Sequence, residues 1–195
     1  MTSLSAVLLA GGESRRMRQD KATIPVGGIL LWHRQMTLLR SIHPLEIFVS
    51  ARTDPPWRPA DTLFVPDSTP SRGPLSGLTA ALHQTRASHL LALAIDMPLM
   101  TGSHLRLLCS FVGPDCGVIP YLRGRAEPLA ALYPKESLGG MMDALDGGQF
   151  GLQSVVRQLT AAGHLTPFVV SPADERLYTN VNSPADMLRL RGAEY

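Results

Sequence analysis

Two short runs, Ala6 to Ala10 (AVLLA) and Leu90 to Ile95 (LLALAI), are apolar at every position. A strand with one wet face alternates apolar and polar residues. Unbroken apolar runs of this length instead fit strands covered on both faces, as in the middle of a parallel sheet. Strand-type segments Leu4 to Ala10, Leu45 to Ala51, Thr62 to Val65 and His89 to Ile95 alternate with helical patterns at Ile29 to Ile42, Leu75 to Ala87 and Ser103 to Val112. That rhythm of βαβ units predicts an α/β fold, a doubly wound and mostly parallel sheet with helices on both faces. Trp32, Met36 and Leu39 share one helical face and read as core. The last third is less regular: strands are expected at Cys116 to Tyr121, Pro128 to Tyr133, Pro167 to Val170 and Leu177 to Thr179. Helices are expected near Lys135 to Leu145 and Leu152 to Ala162 and, capped by Ser183, from Pro184 to Arg191.

The 195 residues, 45% hydrophobic and 17% charged, fit a single domain over residues 1–195. Eighteen Lys and Arg against 16 Asp and Glu leave a formal charge of +2, without a run of like charges, which disfavours general nucleic-acid binding. No apolar stretch approaches the ~18 residues of a membrane span, and no basic leader precedes an apolar one. A cytoplasmic protein that engages neither membrane nor nucleic acid is expected. Cys109 and Cys116, seven residues apart, have no zinc spacing, and the six histidines form no cluster with them, so any metal is expected to be a hard cation on carboxylates.

The chemistry concentrates where strands are expected to end. Leu9 to Ala22 reads LAGGESRRMRQDKA: an apolar strand stops, two glycines turn the chain, and Arg15, Arg16, Arg18 and Lys21 follow. Glycines let backbone N–H groups approach a polyphosphate while Arg and Lys meet its oxygens; the bland alternative is a turn followed by a solvated basic surface. The segment lacks the Gly-Lys-Ser/Thr of a P-loop and the third glycine of a dinucleotide-binding turn. Asp96 follows the strand LLALAI directly, where it is either a hard-cation ligand beside the phosphate loop or a turn former ahead of Pro98. The stretches Thr53 to Asp61 (TDPPWRPAD) and Asp67 to Pro74 (DSTPSRGP) are loops at the side where open α/β sheets bind ligands. Trp57, inside the first, is either a lid or loop packing. Asn180 and Asn182 are two apart on an expected short strand, facing one way, although Asn182 equally suits a turn or cap. Arg123 and Arg125 flank a turn at Gly124, at a solvated hairpin tip or against an anionic substrate.

Taken whole, LAGGESRRMRQDKA resembles the LAGGxSxRMGxDKA signature of the molybdenum cofactor guanylyltransferases, the MobA family of nucleotidyltransferases. Further segments occur in that family's order: Pro66-Asp67, Gly73 to Gly77 (GPLSG), Asp96 to Pro98 (DMP) and Asn180 to Pro184 (NVNSP), spanning residues 9 to 184. The resemblance implies a Rossmann-like nucleotidyltransferase fold. It implies that Leu9, Ala10, Gly11 and Gly12 hold GTP, with Lys21 and Arg16 at its phosphates, Asp67 and Gly77 at sugar or base, Asp96 holding Mg²⁺, and Asn180 and Asn182 on the pterin side. Arg18 stands where the signature has Gly, and Ser50-Ala51-Arg52 where the family often places Asn for the nucleotide.

The implied reaction transfers GMP from GTP to the terminal phosphate of molybdenum-bound molybdopterin and releases pyrophosphate. Implied partners are these two substrates, with transient contacts to molybdenum-insertion proteins and recipient molybdoenzymes. Two rivals stay open: the same chemistry with CTP or a sugar phosphate, and a non-catalytic carrier of GTP or pterin. Gly12 favours guanine over cytosine, because cytidylyl relatives usually have Ala there.

Overall fold

The computed structural model describes residues 2–11, 20–67, 72–181 and 186. Strands β1 (Leu4–Leu9), β4 (Ile47–Ala51), β5 (Leu63–Pro66) and β6 (His89–Ala94) run parallel, with β1 paired between β4 and β6. The full order is β10-β7-β9-β6-β1-β4-β5, where β7 is Gly117–Leu122, β9 Ala130–Pro134 and β10 Leu165–Val169; the two-residue β8 (Arg125–Ala126) adds to β7. β10 is parallel to β7, whereas β9 is antiparallel to both β6 and β7, so the sheet is mixed but mostly parallel, as expected. The crossover helices are α1 (Leu31–Arg40), α2 (Pro74–Gln84) and α3 (Gly102–Cys109), and α4 (Ser137–Asp146) and α5 (Leu152–Ala161) follow later in the chain.

The two-sided burial read from AVLLA is literal. Ala6 and Leu8 of β1 and Leu91 and Leu93 of β6 join one apolar cluster with Leu31, Met36 and Leu39 of α1 and Leu105 and Leu108 of α3. Val7 and Leu9, with Leu90 and Ala92, join the opposite cluster with Leu75, Leu78 and Leu82 of α2 and with residues of α4 and α5. Period-2 alternation therefore sends successive side chains into two separate cores, and the polar residues of β1, β4 and β6 are confined to Ser5, Ser50 and His89 near the strand ends. A fully buried Leu contributes about 1.5–3 kcal/mol of transfer free energy, so these strands and the helices packed on them stabilise the fold together.

Three local expectations are corrected. The helix expected from Ile29 starts at Leu31, because Gly27 and Gly28 at φ +58° and +78° turn a two-residue hairpin that pairs β2 (Pro25–Val26) with β3 (Ile29–Leu30). The strand expected at Leu177 to Thr179 is instead a 3-10 turn over Glu175–Tyr178. Ser171 Oγ donates to Asp174 Oδ2 (2.7 Å) and Leu177 N–H to Asp174 O (2.9 Å), so local turn chemistry overrides the apolar pattern. Asn180 accordingly lies on no strand and is exposed. Of the expected closing helix Pro184 to Arg191, only Asp186 lies among the described residues, and it is helical. Both cysteines are free thiols, and burial pushes Cys109 up to about 11.

Candidate functional site

Parallel pairing brings the carboxyl ends of β1, β4, β5 and β6 to one edge of the sheet, and ladder bonds continue beyond the strands to hold the residues there. Ala10 N–H donates to Ser50 O (2.8 Å), Asp67 N–H to Ala51 O (2.9 Å) and Ile95 N–H to Leu9 O (3.1 Å). The result is a cleft of about 470 Å³, whose lining includes Leu9, Ala10, Gly11, Lys21, Ser50, Arg52, Asp67 and Asp96. That volume is within the usual range for a small-molecule or nucleotide site.

Lys21 reaches the cleft from a short 3-10 turn, Lys21–Thr23, and its Nζ lies 3.0 Å from Asp96 Oδ2. The pair is largely shielded, with side-chain exposures of 15% and 19%. One cation and one carboxylate are thus held face to face at the end of the most apolar strand, where charge has no packing role. The arrangement suits exchange: an incoming polyphosphate takes the ammonium, and a cation accompanying it takes the carboxylate.

Asp67 occupies a space created by two glycines. A Cβ built on Gly11 overlaps Asp67 Oδ2, with Asp67 Cγ at 2.9 Å, and one built on Gly77 overlaps Ser50 Oγ and comes within 2.9 Å of Asp67 Oδ1. Ser50 Oγ donates to Asp67 Oδ1 (3.1 Å). Burial raises the Asp67 pKa above the usual aspartate value, opposed by the Ser50 hydrogen bond and the charge of Arg52. A half-buried carboxylate with Oδ1 anchored by Ser50 and Oδ2 against Gly11 is an acceptor suited to sugar hydroxyls or base N–H groups.

Of the residues expected from sequence, Leu9, Ala10, Gly11, Lys21, Asp67 and Asp96 line this one cleft, and Gly77 packs behind Asp67. Asn180 stands outside the cleft lining, yet its neighbour Val181 donates N–H to Asp96 O (2.8 Å), which brings that segment alongside Asp96. Gly12, Arg16 and Asn182 lie outside the described residues, as do Arg15 and Arg18. Arg123, at the exposed hairpin tip, pairs with Glu175 (2.7 Å) and does not line the cleft.

Ser50, inside β4, and Arg52, just after it, stand where the family often places Asn and had no assigned contact; both line the cleft. Sequence reasoning missed Glu127, for which no local signal exists. Burial raises the Glu127 pKa; the charge of Arg125 opposes this and that of Asp96 adds to it. Its chain segment is pinned by Glu127 N–H to Pro120 O (2.8 Å) and by Ala94 N–H to Leu129 O (2.8 Å). Among the described residues no group of three or more His, Cys, Asp or Glu gathers as a metal cluster, and no helix is long and apolar enough to cross a membrane.

Comparison with known proteins points the same way. Residues 6–177 match the profile of the MobA-like NTP transferase domain. The chain is 31% identical over 194 residues to a probable molybdenum cofactor guanylyltransferase of Opitutus terrae, covering 97% of this chain and 96% of that one. It is 35% identical over 193 residues to a protein of the same description from Mycobacterium tuberculosis, covering 94% and 91%. The crystal structure of molybdopterin-guanine dinucleotide biosynthesis protein A from Archaeoglobus fulgidus superposes with a TM-score of 0.75 at 19% identity, covering 97% of both chains, a likeness of fold.

Proposed function

The chain belongs to the MobA-like NTP transferase family of nucleotidyltransferases, and from that premise we propose that it transfers GMP from GTP to the terminal phosphate of molybdenum-bound molybdopterin, releasing pyrophosphate. The observation that carries this reading is the Lys21–Asp96 pair, set at the strand-end cleft beside the anchored Asp67 carboxylate. The whole chain, residues 1–195, acts as one nucleotidyltransferase domain in the cytoplasm, with GTP and the pterin as its substrates and with passing contacts to the proteins that insert molybdenum and receive the product.

A pterin phosphate oxygen attacks the α-phosphorus in line. The new P–O bond forms as the bond from the α-phosphorus to the bridging oxygen breaks, and pyrophosphate leaves with that electron pair. The attacking oxygen is already anionic, so no protein base is required, and catalysis consists of positioning two anions and neutralising developing charge. Lys21, the N–H groups of the glycine loop and Arg16 bind the triphosphate. Asp67 accepts from the nucleoside, and the close approach at Gly11 and Gly77 leaves its carboxylate in place. Asn180 and Asn182 hold the pterin side.

Asp96, whose charge is felt at Glu127, would hold Mg²⁺, since its carboxylate already meets a cation, Lys21, at the cleft and is the oxygen donor such a hard ion takes. Such an ion, when bound, supplies Lewis-acid neutralisation of the phosphate charge. The test is a pyrophosphate-release assay with purified protein, molybdopterin and each of GTP, CTP, ATP and UTP. Release with GTP is expected. Preference for CTP would overturn the choice of base, and nucleotide binding without any release would favour the carrier.

A further inference from the structure

We propose that Trp57, on the Pro-rich loop, is a positioning residue for Lys21, acting through Asp20. This inference rests on the reading of Lys21 as a phosphate ligand. The two oxygens of the Asp20 carboxylate have separate tasks. Oδ1 accepts from Ala22 N–H (3.0 Å) and so caps the 3-10 turn that begins at Lys21, while Oδ2 accepts from Trp57 Nε1–H (2.8 Å). The turn is closed further by Thr23 N–H and Thr23 Oγ1–H donating to Asp20 O (3.1 and 2.9 Å), and Ala22 is fully buried. Lys21 therefore leaves a backbone fixed immediately before and after it, with its ammonium 3.0 Å from Asp96.

The indole is itself held on a rigid mount. Trp57 stacks on Trp32 of α1, ring centroids 6.0 Å apart and planes 19° from parallel. Inside the loop, Arg58 grips Asp54 with two bonds (2.7 and 2.8 Å), and Thr62 N–H and Thr62 Oγ1–H both donate to Pro59 O (3.0 and 2.7 Å). Arg40 of α1 ties down the loop's far end through Asp61 (2.8 and 2.9 Å). A segment with Pro55, Pro56 and Pro59 and these clamps has little conformational freedom to lose, so it acts as a strut. The strut runs from α1 to the far end of the glycine-rich segment, where a single hydrogen bond transmits it to the cation that meets the phosphates. The proline-rich loop, which contributes no lining residue between Thr53 and Asp61 to the cleft, thus gains a role in nucleotide binding.

Titration calorimetry of GTP with Mg²⁺ against wild type, Trp57→Phe, Asp20→Asn, Lys21→Ala and the Trp57→Phe/Lys21→Ala double variant tests this. Phe keeps the ring against Trp32 and loses the N–H donor; Asn keeps an oxygen for Ala22 and turns an N–H towards the indole. Each is expected to weaken binding about fivefold, the scale of one hydrogen bond's net contribution. Trp57→Phe is expected to add nothing in the Lys21→Ala background, since its effect passes through Lys21. A purely structural Trp57 would lower the melting temperature and leave the affinity of folded protein unchanged, and that result overturns the proposal. So does a further fivefold loss in the double variant. Wild-type affinity in Trp57→Phe beside an impaired Lys21→Ala overturns the strut alone, whereas wild-type affinity in Lys21→Ala overturns the phosphate reading of Lys21 and the strut with it.

Discussion

Gly77→Ala and Gly139→Ala make the same change in two helices, and the structure predicts opposite outcomes. Gly139 lies in α4 and is exposed, with nothing within 4 Å of an added Cβ. Replacing it removes the conformational freedom of glycine and should stabilise the protein by about 0.5–1 kcal/mol. The same gain applies at Gly77 in α2, but there the added Cβ overlaps Ser50 Oγ and stands 2.9 Å from Ser50 Cβ and 2.9 Å from Asp67 Oδ1. Rotation of the serine hydroxyl relieves the first contact only. Ser50 Cβ is fixed by β4, which is paired on both sides, so α2 must lift or the Asp67 carboxylate must move. Overpacking of this kind costs about 1–3 kcal/mol, leaving a net loss of about 1 kcal/mol after the helix gain. At roughly 2–4 °C per kcal/mol for a chain of this size, Gly77→Ala should melt a few degrees below wild type and Gly139→Ala a few degrees above. GTP affinity should fall about tenfold in Gly77→Ala, because a displaced acceptor loses a charge-assisted bond, and stay unchanged in Gly139→Ala. Calorimetric melting and GTP titration of both variants check this. A Gly77→Ala protein that is stabilised like Gly139→Ala and binds GTP normally would refute the cradle argument.

Lys21→Ala is expected to lower pyrophosphate release about a hundredfold while costing about 1–3 kcal/mol of stability, because the shielded Asp96 loses its cation, measured by steady-state turnover and thermal melting; near-normal turnover in folded protein reduces Lys21 to a structural ion pair. Asp96→Asn should bind GTP yet lose a hundredfold or more in rate, partly restored by raising Mg²⁺, whereas a mere turn former tolerates Asn with normal activity. Because burial lifts the Asp67 pKa above the ordinary value of 3.8, the native state holds this proton more tightly than the unfolded chain, and the group's contribution to stability falls as pH rises from 3.8 through the lifted value. Asp67→Asn should therefore gain stability relative to wild type across that window, and a difference in melting temperature that stays constant from pH 3 to 7 would contradict it.

How much of this was readable beforehand depended on how local each cause is. The central strands announced themselves because burial on two faces favours unbroken apolar runs, and α2, expected from Leu75, starts one residue earlier at Pro74, where Gly73 at φ +69° precedes a proline at the first helical position. Where two local signals competed, periodicity lost: the glycine pair at 27–28 claimed Ile29 and Leu30 for a hairpin, and Ser171 and Asp174 claimed Leu177 and Tyr178 for a turn. Lys21, Asp67 and Asp96 could be named from their motifs, but Trp57 could not be assigned a task, since its partners Asp20 and Trp32 are 37 and 25 positions away.

The sequence by itself determined the class of fold, the edge of the sheet that carries the chemistry, and the types of group gathered there. Those follow from rules that act within a few residues, namely side-chain periodicity, turn preference, and the chemistry of glycine, lysine and aspartate. Only the tertiary structure decided which groups meet. Lys21 faces Asp96 across 75 positions, and Asp67 fits between Gly11 and Gly77 because parallel pairing of β1, β4, β5 and β6 sets their register. Leu129, just ahead of β9, lines the cleft with Asp96 because β9 runs antiparallel beside β6. Register is set by many weak packing contacts summed over two cores, and no single residue's neighbours in the chain encode it.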